Sequence, residues 1–315
     1  MQKCHSVYRL LILRNNNTNQ QTEGKGSCAM KKDSFEGWYF KHQKGNQAFA
    51  VIPGMKRDRH GRKSAFIQII SDGFSAYFPY SMDQVEYRAR PFHLKIGDSV
   101  FTRWAVSLNL KRSGAVVEGK LWYGPLRKLE YDIMGVFALI PGLECRHDVI
   151  SMGHRLEGAI NINGKKLDFT EGTGYIESDR GRSFPGKYLW TQCSDFIDGS
   201  ARIMAAAATI PMGPWSFPGC ICAVILKGKE YRLATYLGAK VMECSGNSLI
   251  LRQGDLCFKM KWYGPQGLTL KAPVSGAMTR SINESLMGAA RYRLTEGDKV
   301  LLDVKTRRAS FEYSE

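Results

Sequence analysis

The chain has 315 residues, too many for one ordinary all-β core and suited to two domains. Its 43% hydrophobic and 11% aromatic content fit a globular protein with well-filled cores. Forty-five basic residues against 29 acidic ones leave a formal charge of +16. That balance favours an encounter with nucleic acid or an anionic membrane surface, or else marks only a solvated basic surface.

Residues 1–29 read as a polar extension. Asn15-Asn16-Asn17, Asn19-Gln20-Gln21 and Gly24-Lys25-Gly26-Ser27 cannot bury a core. The apolar run Leu10 to Leu13 lies between Arg9 and Arg14 and is too short for a signal peptide or a membrane span. Met30 is the expected start of translation or of folded structure. From Phe35 the pattern is β: Trp38-Tyr39-Phe40, Ala48 to Ile52, Ala65 to Ile70 and Ser75 to Tyr80 are short runs divided by turn residues. Lys56-Arg57-Asp58-Arg59-His60-Gly61-Arg62-Lys63 sits between two of them as a hairpin tip, either merely solvated or facing an anion. Val106, Leu108 and Leu110 alternate with polar residues, and Asn163-Gly164 marks a tight hairpin.

Strand-like runs continue from Ala201 to Val304. Ala205 to Ala208 has helical propensity, but Pro211 and Pro214 limit its length. Trp122-Tyr123-Gly124-Pro125 recurs as Trp262-Tyr263-Gly264-Pro265, which predicts two related β domains. The expected division is residues 30–160 and 161–315. The eight cysteines contain no Cys-x-x-Cys, so reduced thiols in a cytoplasmic protein are expected. His147 and His154 lack a third partner nearby in sequence, and they read as structural histidines rather than metal ligands.

The chemistry concentrates in Glu171 to Gln192. Two acids (Glu177, Asp179), two arginines (Arg180, Arg182) and the aromatics Tyr175, Phe184 and Trp190 stand among glycines and a proline. This density predicts a loop feeding an aromatic strand, either at a pocket mouth or as a linker between domains. Glu36 likewise precedes the aromatic strand that carries Trp38 and Tyr39. A carboxyl group held against aromatic walls is desolvated and stays protonated near neutrality, as a general acid requires. Ring faces nearby stabilise a carbocation. The competing reading is that both carboxylates make ordinary structural ion pairs. Strand alternation places residues 177 and 179 on one face and 180 on the other. No Walker loop, dinucleotide fingerprint, His-Glu-x-x-His or Gly-x-Ser-x-Gly occurs.

The motifs F-E-G-W-Y-F-K at 35–41 and G-Y-I-E-S-D-R-G-R-S-F-P-G-K-Y-L-W-T-Q at 174–192 resemble the tocopherol cyclase-like family. Y-R-L-A-T-Y at 231–236, L-K-A-P at 270–273 and the strand from Leu301 to Thr306 extend the likeness to nearly the whole chain. The resemblance implies two lipocalin-like antiparallel β-barrel domains in tandem, akin to carotenoid hydratase-like proteins. It also implies acid-catalysed cyclisation or hydration of a prenylated phenol, quinol or other isoprenoid lipid, without a cofactor or a metal. On that basis Glu177 is the proton donor, Asp179 its orienting partner and Glu36 a second acid. Trp38, Tyr39, Tyr175, Arg180, Phe184 and Trp190 line the substrate. Arg180 stands where the family pattern carries Trp, which admits a rival reading as a lipid-binding protein without turnover. The apolar substrate and the basic charge imply peripheral contact with an anionic membrane. Nucleic-acid binding is disfavoured, because the basic residues are scattered and no recognised motif appears.

Overall fold

The computed structural model describes residues 33–315 except 113, 141, 142, 197, 198, 200 and 213. The expected N-terminal extension, 1–29, lies outside the described residues, as does Met30. Twelve strands form the first sheet: β1 (Ser34–Lys44), β2 (Gln47–Arg57), β3 (Lys63–Ser71), β4 (Phe74–Tyr80), β5 (Val85–Arg88), β6 (His93–Ile96), β7 (Ser99–Thr102), β8 (Ala105–Arg112), β9 (Ala115–Tyr123), β10 (Cys145–Ile162), β11 (Lys165–Asp168) and β12 (Thr173–Gly181). Ten form the second: β13 (Tyr188–Cys193), β14 (Ala201–Met212), β15 (Trp215–Leu226), β16 (Lys229–Ala234), β17 (Lys240–Ser245), β18 (Ser248–Gln253), β19 (Leu256–Trp262), β20 (Leu268–Val274), β21 (Ala277–Glu296) and β22 (Lys299–Ser314). Every pairing is antiparallel, and no α-helix occurs among the described residues. No helix there is long and apolar enough to cross a membrane.

The sheets repeat one plan. The first runs β4-β3-β2-β1-β12-β10-β9-β8-β7 before its last two strands, and the second runs β16-β15-β14-β13-β22-β21-β19-β18-β17. The repeated Trp-Tyr-Gly-Pro motifs close β9 and β19. Each of these strands pairs with the long strand of its own sheet, β10 or β21. The change of sheet falls between Gly181 and Tyr188, whereas the sequence reading divides the chain at 160/161, inside β10. Each sheet curls around its own core. Phe40, Phe49, Ile67, Leu94, Phe101, Val106, Leu121 and Leu156 meet inside the first. Leu189, Ile203, Val224, Leu249, Phe258 and Tyr292 meet inside the second. The ladder of neither sheet returns to its starting strand.

A third core joins the halves. Tyr39, Ala50, Val149 and Tyr175 from the first sheet pack against Trp190, Met204, Ala223, Leu270 and Ile282 from the second. The central strands are therefore buried on both faces, one on their own core and one on the other half. The loop after β9 ties in as well. Arg232 of β16, ion-paired to Glu230, donates to the carbonyls of Tyr131 and Asp132 at 2.9 and 2.8 Å. Met134 and Phe137 of that loop border the cavity described next.

Ala205 to Ala208 is strand within β14, with Ala205 and Ala207 in the second core. Tertiary pairing on both sides, to β13 and β15, overrides its helical propensity. The cysteines among the described residues are free.

Candidate active site

A cavity with about 1320 Å³ of space between atoms, its open mouth included, lies between the two sheets. Small residues leave room for it: Ala206, Ala207 and Ala208 on β14, with Cys220 and Gly219 opposite the last two on β15. The acids expected on a loop sit on β12, and only 182–187 connects to β13. Gly174 serves close packing rather than a turn, since an added Cβ would lie 2.2 Å from Nε2 of His154.

Alternation along β12 turns Tyr175, Glu177 and Asp179 toward the second half. Glu177, 6% exposed, is held through Oε2. That oxygen accepts from Tyr175 Oη at 2.6 Å and from Trp190 Nε1 of the second sheet at 3.2 Å. His147 on β10 stands opposite Asp179 in the ladder. Its Nδ1 lies 2.9 Å from Asp179 Oδ1, and its Nε2 lies 3.5 Å from Glu177 Oε2. Cys145 contributes a weak thiol contact to Asp179 at 3.6 Å. Two further buried glutamates line the opposite wall: Glu284 accepts from Tyr39 Oη, and Glu312 accepts from Tyr188 Oη.

Burial raises Glu177 to about 7, although the nearby His147 acts to lower it. Burial disfavours the charged form of His147, yet Asp179 and Glu177 outweigh it and lift the imidazole to about 9. Burial also raises Glu284 to about 7, against the Tyr39 hydrogen bond and the Lys41 charge. Glu312 is pushed up by burial and by the carboxylates of Glu177 and Asp179. At neutral pH the cavity therefore holds an imidazolium clamped by Asp179 beside glutamates that keep much of their protons. The donor atoms of His147, Glu177 and Asp179 lie within 4.8 Å of one another. Geometry alone would let them hold a metal ion, but a protonated imidazole cannot ligate one until it loses its proton.

Glu177, Asp179, Tyr39, Phe184 and Trp190 come together at this cavity, with Tyr175 bonded to the acid behind it. The Tyr39 and Trp190 rings meet edge to face at 5.6 Å, and Phe184 packs on Phe35 at 5.5 Å. Trp38 borders the cavity, but its ring packs in the first core against Tyr87 and Phe92. Glu36 and Arg180 are not brought to it. They face each other across β1 and β12 and open onto the other side of the sheet. Arg180 therefore does not pair with Glu177. His147, expected to be structural, is at the centre of the cluster, whereas His154 packs against Tyr123 at 4.6 Å and bonds Ser151. Glu284 and Glu312 carried no local signal, because both lie in ordinary strand patterns more than 100 residues from Glu177.

A family model described as Tocopherol cyclase-like matches residues 116–314. The "Probable tocopherol cyclase, chloroplastic" of Oryza sativa subsp. japonica is 24% identical over 120 residues, covering 37% of this chain. The match spans only 26% of that relative's length. Among solved structures, a protein assigned as an AttH from Nitrosomonas europaea superposes with a TM-score of 0.51 at 10% identity, covering 90% of this chain and 92% of its own. Kievitone hydratase from Nectria haematococca gives a TM-score of 0.50 at 12% identity, with 90% and 89% covered. At such identities the likeness is one of fold, two lipocalin-like antiparallel halves in tandem. With a match that spans most of its length, the chain belongs to the tocopherol cyclase-like family.

Proposed function

We propose that the protein is an acid catalyst that adds a proton to a carbon–carbon double bond of an apolar isoprenoid substrate, a prenylated phenol or quinol being the best fit. The observation that carries this reading is a glutamate buried in an apolar cavity, with its pKa pushed up to about 7 and His147 Nε2 at 3.5 Å. Tyr175 and Trp190 both donate to Oε2 of Glu177, which leaves Oε1 to carry the proton. As that proton moves to the alkene, negative charge grows on the carboxylate, and His147, anchored by Asp179, stabilises it. The carbocation formed on the substrate lies among the Tyr39, Phe184 and Trp190 rings. Capture by the substrate's own phenol oxygen closes a ring and capture by water gives a hydrate; either releases one proton. Glu284, on the opposite wall with its pKa raised to about 7, accepts it in its ionised form. Family membership and the hydratase among its structural neighbours support this class of reaction.

The test is to incubate the full chain with prenylated quinols in D₂O and follow deuterium entering the product by mass spectrometry. Incorporation that Glu177→Gln abolishes, with melting temperature and bound lipid retained, is the expected result. Tight lipid binding with no incorporation in the unsubstituted protein would leave a carrier of the same ligand class. Incorporation untouched by Glu177→Gln would remove this residue from the mechanism.

A further inference from the structure

A second cavity opens on the opposite face of β1 and β12, with about 1000 Å³ of space, its mouth included. It is built from strand ends that gather at one end of the first sheet: the start of β1, β3 and β10 and the finish of β2 and β12. The Glu36–Arg180–Arg146 row crosses β1, β12 and β10 side by side. Among the described residues, only Phe35, Glu36's neighbour, borders both cavities.

Its charge is one-sided. Among the described residues, Lys56, Arg57, Lys63, Arg146 and Arg180 line it against a single acid, Glu36. Arg146 is engaged by Asp132 at 2.7 Å. Asp58, the acid within the basic hairpin, is held in its own turn by Arg62 at 2.8 Å and by the amides of His60 and Arg62. The other four cations form no ion pair among the described residues. Burial lowers the pKa of Lys56, the charge of Lys271 on the other cavity adds to it, and Asp58 acts to raise it. Four cations that line one recess without an ion-pair partner among the described residues favour a bound anion. Two guanidinium forks with two ammonium groups match the several oxygens and the multiple charge of a phosphate better than one carboxylate.

We infer that this cavity binds a phosphate oxyanion, gripped by Arg57 and Arg180 with Lys56 and Lys63 beside them. The phosphate is either a free small anion or the headgroup of an acidic lipid, and the recognition chemistry is the same for both. The site is distinct from the Glu177 cavity, and the inference stands whether or not that cavity is catalytic.

Calorimetric titration of the full chain with inorganic pyrophosphate at low ionic strength reads the free anion. Co-sedimentation with phosphatidylcholine vesicles containing phosphatidic acid reads the lipid. Arg57→Gln with Arg180→Gln is expected to weaken whichever probe binds by about tenfold or more, since each lost charge-assisted contact to a phosphate contributes on that scale. Glu36→Gln is expected to tighten it, a gain that misfolding cannot produce. Arg252→Gln with Lys259→Gln, exposed cations of the second sheet that do not line the cavity, removes the same charge without removing a direct contact to the phosphate and should leave affinity within about twofold. Binding of pyrophosphate alone identifies a free phosphate, and binding of vesicles alone a lipid headgroup. Failure of both probes to bind, or an equal loss in the second-sheet control, overturns the inference.

Discussion

Asp179→Asn tests the electrostatics of the site directly. Asp179 Oδ1 lies 2.9 Å from His147 Nδ1, and its charge is the largest of the influences that raise the imidazole from 6.5 to about 9. At about 1.4 kcal/mol per pH unit, that shift corresponds to roughly 3 kcal/mol of stability held by the imidazolium. Because the folded value is raised, this contribution is complete below pH 6.5 and is lost as pH rises through about 9. Lys41, buried and pushed down from 10.5 to about 8, acts in the opposite sense across the alkaline end. The difference between the unsubstituted protein and Asp179→Asn cancels that background, while Glu177 and Glu312, which Asp179 also helps to raise, narrow the gap in the same sense as His147. His42 and His154, pushed by burial to about 3, titrate below the window. The assay is thermal unfolding at intervals from pH 6 to 9.5, paired with NMR titration of His147. The variant should melt on the order of 5 °C lower at pH 6, and the gap should narrow toward pH 9.5. The His147 resonance should titrate well below its value in the unsubstituted protein. A gap that stays constant across this range, or an unmoved His147, would show that Asp179 does not set the charge of the imidazole.

Two further outcomes follow from the packing. Ala206→Phe places a ring in space that the small residues of β14 and β15 leave open. Retention of a prenyl lipid in solvent extracts should fall by about tenfold or more, while the melt shifts by about 1–3 kcal/mol of overpacking at most; unchanged retention would place the ligand elsewhere. Arg232→Ala removes four loop-binding and ion-pair contacts and leaves Glu230 buried without its partner. A destabilisation of about 3–5 kcal/mol by chemical denaturation is expected, with faster proteolysis between Gly124 and Glu144. Protection of that loop equal to the unsubstituted protein would count against its anchoring by Arg232.

Much of this protein is written locally in its sequence. Alternation in stretches such as Ala115 to Tyr123, whose burial switches residue by residue, specifies strands, because side-chain direction has a period of two. The same rule puts Glu177 and Asp179 on one face and Arg180 on the other without any structure. The repeated Trp-Tyr-Gly-Pro motif marks equivalent strand ends in two halves of one plan. What a local pattern cannot carry is which strands lie side by side and in what register, since that is settled by packing between distant segments. The pairing of β10 with β12 brings His147 to Asp179, and the packing of one sheet on the other brings Trp190 to Glu177. Glu284 and Glu312, directly opposite each other on β21 and β22, are pushed up from the usual carboxylate range chiefly because both halves bury them together. Glycine density between 171 and 186 predicts a loop. Tertiary contact instead made strand of 173–181, with Gly174 kept bare so that the His154 ring could pack against the backbone.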